Sequence, residues 1–208
     1  MNLSDLIYVK ENVLDHEFCR DLILKFNSDN RKFQGSVGST GTTGNIISNV
    51  DLTLKKSLDL NITELKEWNK EDKILCKSFN KNVIDYFEYT NKFSPRSEDN
   101  KTVFGNGICN FRDRGYLIRS YEKSDGYFRW HNDFSLDKEY GLRMLTLIWY
   151  LNDVEEGGET EFVDGTLVKP KTGQLLIFPT SWYMAHRGRM PISNKKYIIT
   201  SWLYGSQR

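Results

Sequence analysis

The sequence predicts an α+β fold in which N-terminal helices pack on one outer face of a β-sandwich or jelly-roll barrel. Two observations support this prediction. Residues 1–107 contain apolar side chains at helical spacing, whereas from about residue 108 short segments rich in β-branched and aromatic residues alternate with turn signals. A length of 208 residues suits one domain with a sizeable core. We therefore expect a single domain, with a mainly helical support region over 1–107 and the barrel over 108–208.

The first predicted helix follows Asp15, a residue type that commonly caps helix N-termini. Phe18, Leu22 and Phe26 then recur at helical spacing, and we expect the helix to end between residues 27 and 30. The segment FQGSVGSTGTTGN, residues 33–45, is too rich in glycine and hydroxyl side chains to form core. It is consistent with a mobile loop that gates a site or with a simple connection between strands.

A second helix is predicted to start at Thr63 and to run to about residue 93. Most of its apolar side chains would share one face. That face would comprise Trp68, Ile74, Leu75, Phe79, Val83 and Phe87. We expect these residues to belong to the hydrophobic core.

The predicted strands of the C-terminal half are short and separated by GG, DG, PKTG and NK turn signals. They are YLIRSYE, YFRWHND, RMLTLIWYL, ETEFV, TLVKP, QLLIFPT and KYIITSWLYG. Strands of this number and spacing are typical of a sandwich or barrel.

Composition excludes some classes of function. The 29 basic and 28 acidic residues nearly cancel, so we expect neither nucleic acid nor an anionic membrane as partner. The N-terminal segment carries early acidic residues and no long apolar run, and we expect a soluble, cytoplasmic protein. Cys19, Cys76 and Cys109 lie far apart, so we expect free thiols rather than a disulfide or a cysteine zinc site.

The segment FRWHNDF at 128–134 contains a candidate pair of metal ligands. Side chains two positions apart in a strand share a face, so His131 and Asp133 could both enter the barrel while Asn132 points away. Of the other two histidines, His16 belongs to the first helix and is expected on the surface. His186 could then complete a 2-His-1-carboxylate triad, which binds Fe(II) and leaves coordination positions open. A polar turn between strands is the alternative interpretation.

Lys196 lies ten residues after His186 and opens a strand in which 196, 198, 200 and 202 share a face. A lysine that points into an apolar barrel requires an anionic or polar partner. A dicarboxylate cosubstrate would provide one, with its 2-oxo acid end on the metal and its far carboxylate on the lysine. A solvated Lys195–Lys196 turn remains the alternative at this point.

Taken together, these blocks resemble the prolyl 4-hydroxylase-like family of 2-oxoglutarate and Fe(II)-dependent dioxygenases. The resemblance rests on HND at 131–133, RMLTLIWYLNDVEEGGETEF at 143–162, KPKTGQLLIFP at 169–179 and HRGRMPISNKKYIITSW at 186–202. It covers the C-terminal half almost continuously, and it implies a double-stranded β-helix barrel. The N-terminal half is similar only in its general helical character.

The resemblance also implies roles for individual residues. His131, Asp133 and His186 would bind Fe(II), and Lys196 would hold the 5-carboxylate of 2-oxoglutarate. The implied reaction uses O2, converts 2-oxoglutarate to succinate and CO2, and inserts a hydroxyl group into a C–H bond. Ascorbate (vitamin C) would serve as reductant.

Four further residues match positions around the family's cosubstrate and substrate. Thr160, in GGET, and Trp202 match residues that line the cosubstrate pocket. Tyr121 resembles a tyrosine that reaches the same carboxylate, although it is one residue further from the histidine than is usual. Arg143 matches an arginine near the peptide-binding groove and is assigned to substrate.

The expected substrate is a peptidyl proline within a protein or peptide partner. Another peptidyl residue or a free small molecule is the alternative within the same chemistry. A non-catalytic module that binds metal or 2-oxoglutarate and a zinc-dependent hydrolase are alternatives from other classes. Trp130 stands where the family often has proline, which predicts a bulkier rim and an individual substrate preference.

Overall fold

A computed structural model of the protein describes residues 2–40, 46–93 and 110–206. Two antiparallel sheets lie face to face, and two helices cover the outer face of the larger sheet. This architecture confirms the predicted fold class. Cys109 and the last five residues of the glycine-rich segment, 41–45, lie outside the described residues.

The larger sheet carries most of the core. Along its main path the order is β1 (Tyr8–Lys10), β14 (Leu175–Pro179), β11 (Gly141–Tyr150), β16 (Lys196–Ser206), β8 (Leu117–Tyr121), β6 (Leu58–Asn61) and β2 (Phe33–Gln34). Two more strands, β10 (Leu136–Asp137) and β7 (Asn110–Arg112), pair with β11 and β16. The central strands β11 and β16 are the longest, and they are buried on both faces over most of their length.

The smaller sheet closes the barrel on the other side. Its order is β13 (Leu167–Val168), β12 (Thr160–Phe162), β15 (His186–Gly188), β9 (Tyr127–His131) and β5 (Lys55–Lys56). A separate hairpin is formed by β3 (Val37–Thr40) and β4 (Ile46–Asn49).

Side-chain alternation along the large sheet separates two apolar clusters. In β16, Tyr197, Ile199 and Leu203 pack towards the helices, whereas Lys196 and Ile198 face the smaller sheet. Because both faces are buried, these strands consist of nearly continuous apolar residues rather than a polar and apolar alternation. The inner face nevertheless carries polar groups, and these form the candidate site.

Helix α1 (His16–Ser28) confirms the predicted helix. The side chain of Asp15 accepts hydrogen bonds from the backbone N–H groups of Glu17 at 2.8 Å and Phe18 at 3.3 Å, as expected of an N-cap. Leu22 and Phe26 are buried against the sheet. His16 is exposed, as predicted.

Helix α2 (Asn69–Asn91) begins later than predicted, after a short 3-10 helix at Lys66–Trp68. The Thr63 hydroxyl does not cap it. Instead this hydroxyl accepts from the backbone N–H of Tyr116 and donates to Asp72, at 2.9 and 2.6 Å. The predicted apolar face of α2 and the preceding turn is buried at Trp68, Leu75, Phe79 and Val83, and half-buried at Ile74 and Phe87.

The N-terminal half is less helical than predicted, because strands β1 to β6 belong to it. β1 and β6 extend the large sheet, β5 extends the small one, and the glycine-rich segment contributes β3. These strands have two to four residues, too few for a periodic sequence signal.

Two of the predicted free thiols lie within the described residues. Cys19 is buried and Cys76 is half-buried, and neither forms a disulfide among the described parts of the chain. No helix in these parts is long and apolar enough to cross a membrane.

Candidate active site

Three potential metal ligands converge between the two sheets. His131 ends β9, and His186, which begins β15, is its direct partner in the ladder. Asp133 lies two residues beyond the end of β9, in a loop rather than in the strand as predicted, and still turns inward. The ligand atoms of all three residues lie within 4.8 Å of one another.

The spacing of these atoms suits one divalent ion. Oδ1 of Asp133 lies 4.0 Å from Nε2 of His131, and Oδ2 of Asp133 lies 3.8 Å from Nε2 of His186. An octahedral ion about 2.1 Å from each ligand would hold neighbouring ligand atoms about 3 Å apart, so binding requires side-chain shifts below about 1 Å. The sequence-predicted triad is therefore brought together, and its residue types are those of a 2-His-1-carboxylate iron site.

Hydrogen bonds orient both imidazoles for metal binding. Nδ1 of His131 donates to the carbonyl of Arg129 at 2.8 Å, and Nδ1 of His186 donates to that of Met184 at 3.1 Å. A proton on Nδ1 leaves the lone pair of Nε2 directed at the metal position. Burial, and then the charge of His186, lower the pKa of His131 to about 3, so that its imidazole is neutral at pH 7.

The Asp133 carboxylate is held by two donors on one oxygen. Thr146 Oγ1 and Trp202 Nε1 both donate to Oδ2, at 2.7 and 3.3 Å, which leaves Oδ1 available to an ion. Burial disfavours the charged carboxylate, but the nearby His186, His131 and Arg143 hold the pKa of Asp133 below its usual range. The ligand is therefore ionised at neutral pH.

A narrow inner cavity extends from the triad to Lys196, and its wall also includes Tyr121, Thr160 and Trp202. Lys196 is only 2% exposed and its Nζ donates to the carbonyl of Gly158 at 2.6 Å. Burial lowers the pKa of this lysine to about 8, against the opposing charge of Glu159. At pH 7 the ammonium is still protonated, so the closed end of the cavity is positive.

The polar groups of this cavity fit a dicarboxylate. Within the described residues, Thr200 Oγ1 is buried beside the cavity without a hydrogen-bond partner, and Lys196 has no ion pair within 4.0 Å. Both groups lie on one face of β16, as predicted from the sequence for residues 196 and 200. A buried hydroxyl without a hydrogen-bond partner and a buried ammonium without a counter-ion require an anionic or polar ligand.

The remaining predicted residues take separate positions around the site. Tyr121 is the ladder partner of Lys196, and Thr160 shares a 2.7 Å hydrogen bond with Tyr150. Arg143 lies at the mouth, where its guanidinium bonds Tyr204 and stands 4.3 Å from the Trp202 ring.

An outer groove of about 330 Å³ opens above the metal position. Its walls include Trp130 and Phe134, which are 45% and 53% exposed, and Ser36 and Val37 beside the β3–β4 hairpin. The guanidinium of Arg187 stacks at 4.9 Å from the Trp130 ring and supports that wall from the other side. Trp130 thus forms a rim of the groove, as the sequence predicted.

The sequence analysis assigned no role in the site to three polar residues of the inner wall, Arg119, Thr146 and Thr200. Thr200 shares the inward face that the alternation of β16 assigns to Lys196, so that alternation could have identified it. Arg119 lies in RSY, two residues before Tyr121, and the same period of two would have turned it inward.

Comparisons with known proteins agree with this arrangement. Residues 116–204 match the model of the 2OG-Fe(II) oxygenase superfamily. Two probable prolyl 4-hydroxylases of Arabidopsis thaliana, numbers 3 and 10, are each 32% identical over 43% of this chain and 42% and 41% of their own lengths. The chain therefore spans less than half the length of these curated relatives.

Several solved structures share the fold. A viral collagen prolyl hydroxylase from Paramecium bursaria Chlorella virus-1, in its 2OG complex, matches with a TM-score of 0.60, 18% identity and 97% of both chains covered. A prolyl hydroxylase from Trichoplax adhaerens, in complex with a hypoxia-inducible-factor peptide fragment, matches with a TM-score of 0.66, 16% identity, and 97% of this chain and 84% of the other covered. The chain therefore has the double-stranded β-helix fold of these prolyl hydroxylases, and its residues 116–204 are similar to the 2OG-Fe(II) oxygenase superfamily.

Proposed function

We propose that this protein is a 2-oxoglutarate- and Fe(II)-dependent dioxygenase that hydroxylates a peptidyl proline. The observation that carries the proposal is one continuous cavity with His131, Asp133 and His186 at its mouth and the buried ammonium of Lys196 at its closed end. A zinc hydrolase would leave that ammonium without a role.

Each residue contributes a distinct physical effect. His131, Asp133 and His186 would hold Fe(II) on one side and leave positions open for 2-oxoglutarate and O2. Lys196 and Thr200 would bind the distal carboxylate, at a depth from which water is excluded. Bound iron and 2-oxoglutarate would supply the oxygen activation, with release of succinate and CO2.

The outer groove supports a peptide as substrate. An extended chain could lie between Trp130 and the β3–β4 hairpin, with one side chain directed at the metal and Arg143 at the edge. The names of the relatives favour proline as the target residue. Ascorbate as reductant and a cytoplasmic setting are further parts of this proposal, and they rest on the sequence alone.

The direct test is a peptide screen by mass spectrometry. Proline-containing peptides are incubated with the protein, Fe(II), 2-oxoglutarate and O2, and a mass gain of one oxygen atom is sought. The gain should disappear when iron or 2-oxoglutarate is omitted, and in His131→Ala, Asp133→Ala and His186→Ala. His16→Ala, at an exposed histidine outside the site, is the matched control and should retain activity.

Other results would redirect or refute the proposal. Oxygen gain on a different residue would keep the chemistry and replace proline as the target. Peptide or ester hydrolysis without oxygen, or succinate formation in a triad variant at the rate of the unaltered protein, would refute the dioxygenase assignment.

A further inference from the structure

Arg119 is a buried arginine on the inner face of the large sheet. It lies in β8, where its ladder partners are Ile198 of β16 and Asp59 of β6. Ile198 is two residues from Lys196, a step of about 7 Å along the strand. Arg119 therefore projects into the same cavity as Lys196, one strand repeat closer to the mouth.

The charge of Arg119 is only partly compensated. Its Nε donates to Oδ2 of Asp59 at 3.1 Å, and Nζ of Lys55 donates to the same oxygen at 2.8 Å. Oδ1 of Asp59 accepts from Ser57 at 2.7 Å. In the described parts of the chain, these two cations share one carboxylate as their ion-pair partner within 4.0 Å. One buried positive charge remains.

Burial makes this surplus charge significant. Lys55 and Asp59 are 0% and 1% exposed and Arg119 is 9% exposed, so water screens the cluster weakly. Burial, and then the charge of Arg119, lower the pKa of Lys55 to about 8. Burying a cation without a counter-ion costs free energy, and a bound anion would remove this cost by balancing the charge.

The guanidinium of Arg119 lies near the metal end of the cavity. Its central carbon lies 5.5 Å from the ring of Trp202, and Trp202 donates to Asp133, a metal ligand. Arg119 lines both the inner cavity and the outer groove, whereas Lys196 lines the inner cavity alone. Arg119 thus stands at the junction where the 2-oxo acid end of a cosubstrate would chelate the ion.

We propose that Arg119 is a second anion-binding residue of the cosubstrate pocket and holds the metal-chelating carboxylate, while Lys196 holds the distal carboxylate. This inference rests on the proposed function. Asp59 is then a positioning residue, because its bond to Nε fixes the guanidinium and leaves the terminal amino groups directed at the ligand. The two cations are one strand repeat apart, which is comparable with the separation of the carboxylates in a five-carbon diacid.

The test compares 2-oxoglutarate with 2-oxopentanoate, which retains the 2-oxo acid and lacks the distal carboxylate. Each is titrated into anaerobic Fe(II)-loaded protein, and binding is followed by the visible charge-transfer absorption, without turnover. Arg119→Gln should weaken both ligands by about 30-fold or more, the factor that corresponds to about 2 kcal/mol. Lys196→Met should weaken 2-oxoglutarate by a similar factor and leave 2-oxopentanoate unchanged.

Two further variants serve as controls. Arg114→Gln removes an exposed arginine that pairs with Asp137 and lines neither the outer groove nor the inner cavity, and it should leave both affinities unchanged. Arg119→Lys keeps the charge and should recover part of the lost affinity. If Arg119→Gln melts well below the unaltered protein, Arg119→Lys takes its place as the test variant. An affinity of Arg119→Lys for 2-oxopentanoate equal to that of the unaltered protein would then overturn the inference.

The outcomes separate the two proposals. If Arg119→Gln keeps both cosubstrate affinities and instead raises the KM for peptide, Arg119 binds substrate and the inference is wrong. If it weakens 2-oxoglutarate alone, it acts at the distal carboxylate, which also overturns the inference. If the unaltered protein develops no absorption with Fe(II) and 2-oxoglutarate, the proposed function itself fails.

Discussion

Replacing Lys196 by Met is expected to stabilise the ligand-free protein and to weaken 2-oxoglutarate binding. The side chain is 2% exposed and burial lowers its pKa to about 8, compared with 10.5 for an ordinary lysine. The folded pKa lies below the unfolded value, so protonation at pH 7 opposes folding. The difference corresponds to about 3 kcal/mol. Met fills a similar volume without a charge to desolvate.

The lost hydrogen bond offsets part of this gain. Nζ of Lys196 donates to Gly158 O, and leaving that carbonyl without a donor costs about 1 kcal/mol. The net stabilisation is therefore about 2 kcal/mol, which for a protein of this size raises the Tm by roughly 4–8 °C. The stabilisation by Lys196→Met should vanish as the pH rises from 8 to above 10.5. Over this range Lys196 of the unaltered protein loses its proton in the folded state before it does so in the unfolded state, so the cost of burying its charge disappears.

Thermal melts with and without ligand measure both effects. The unaltered protein with Mn(II) should gain stability when 2-oxoglutarate is added, and Lys196→Met should gain little. Lys195→Met is the matched control, because this half-buried neighbour pairs with Glu122 and should change stability by less than about 0.5 kcal/mol. A Lys196→Met protein that melts lower when ligand-free and still responds to 2-oxoglutarate would refute the reasoning.

Three further predictions concern the metal ligands and the thiols. Thr146→Val removes the 2.7 Å bond to Asp133 and should weaken metal binding by about 10-fold in a metal titration. Thr53→Val is the control and should leave metal affinity unchanged, because exposed Thr53 bonds half-buried Asp51 outside the site. Equal metal affinities of Thr146→Val and the unaltered protein would mean that the bond does not position Asp133. In metal-free protein the pKa of His131 is lowered to about 3, so the unfolded state binds more protons than the folded state below pH 6.5. The free energy of unfolding should therefore fall by about 2 kcal/mol between pH 7 and pH 5. In urea titrations His131→Gln should lose this part of the pH dependence, and an unchanged pH profile would contradict the lowered pKa. Burial raises the pKa of the Cys19 thiol to about 12, so Cys19 should react slowly with an alkylating reagent at pH 8. Peptide mapping of the native protein should find Cys19 unmodified and half-buried Cys76 modified. Rapid labelling of Cys19 would contradict this prediction and show that α1 opens readily.

The sequence by itself predicted the fold class, which the structure confirms, and the candidate metal ligands. Alternating residues in the C-terminal half identified the long strands, and helical spacing with Asp15 as cap identified α1. Spacing alone also placed Lys196 on one strand face with residues 198, 200 and 202, because the period of two in a strand is local, and the structure shows that Lys196 is buried. His131, Asp133 and His186 were predicted as iron ligands because a 2-His-1-carboxylate set is typical of Fe(II) sites and because the surrounding sequence blocks resemble a family that uses such a set.

Only the tertiary structure decided the surroundings of those residues. Asp59 forms ion pairs with Lys55 and with Arg119, and Arg119 is 60 residues away in the chain. No local sequence period predicts that these charged groups meet. The start of α2 was displaced because the Thr63 hydroxyl bonds the backbone of Tyr116 instead of capping the helix. Short strands such as β5 and β15 exist because neighbouring strands supply their hydrogen bonds. Local patterns therefore predict which side chains share one face of a strand. Long-range packing decides which face turns inward and which groups its side chains contact.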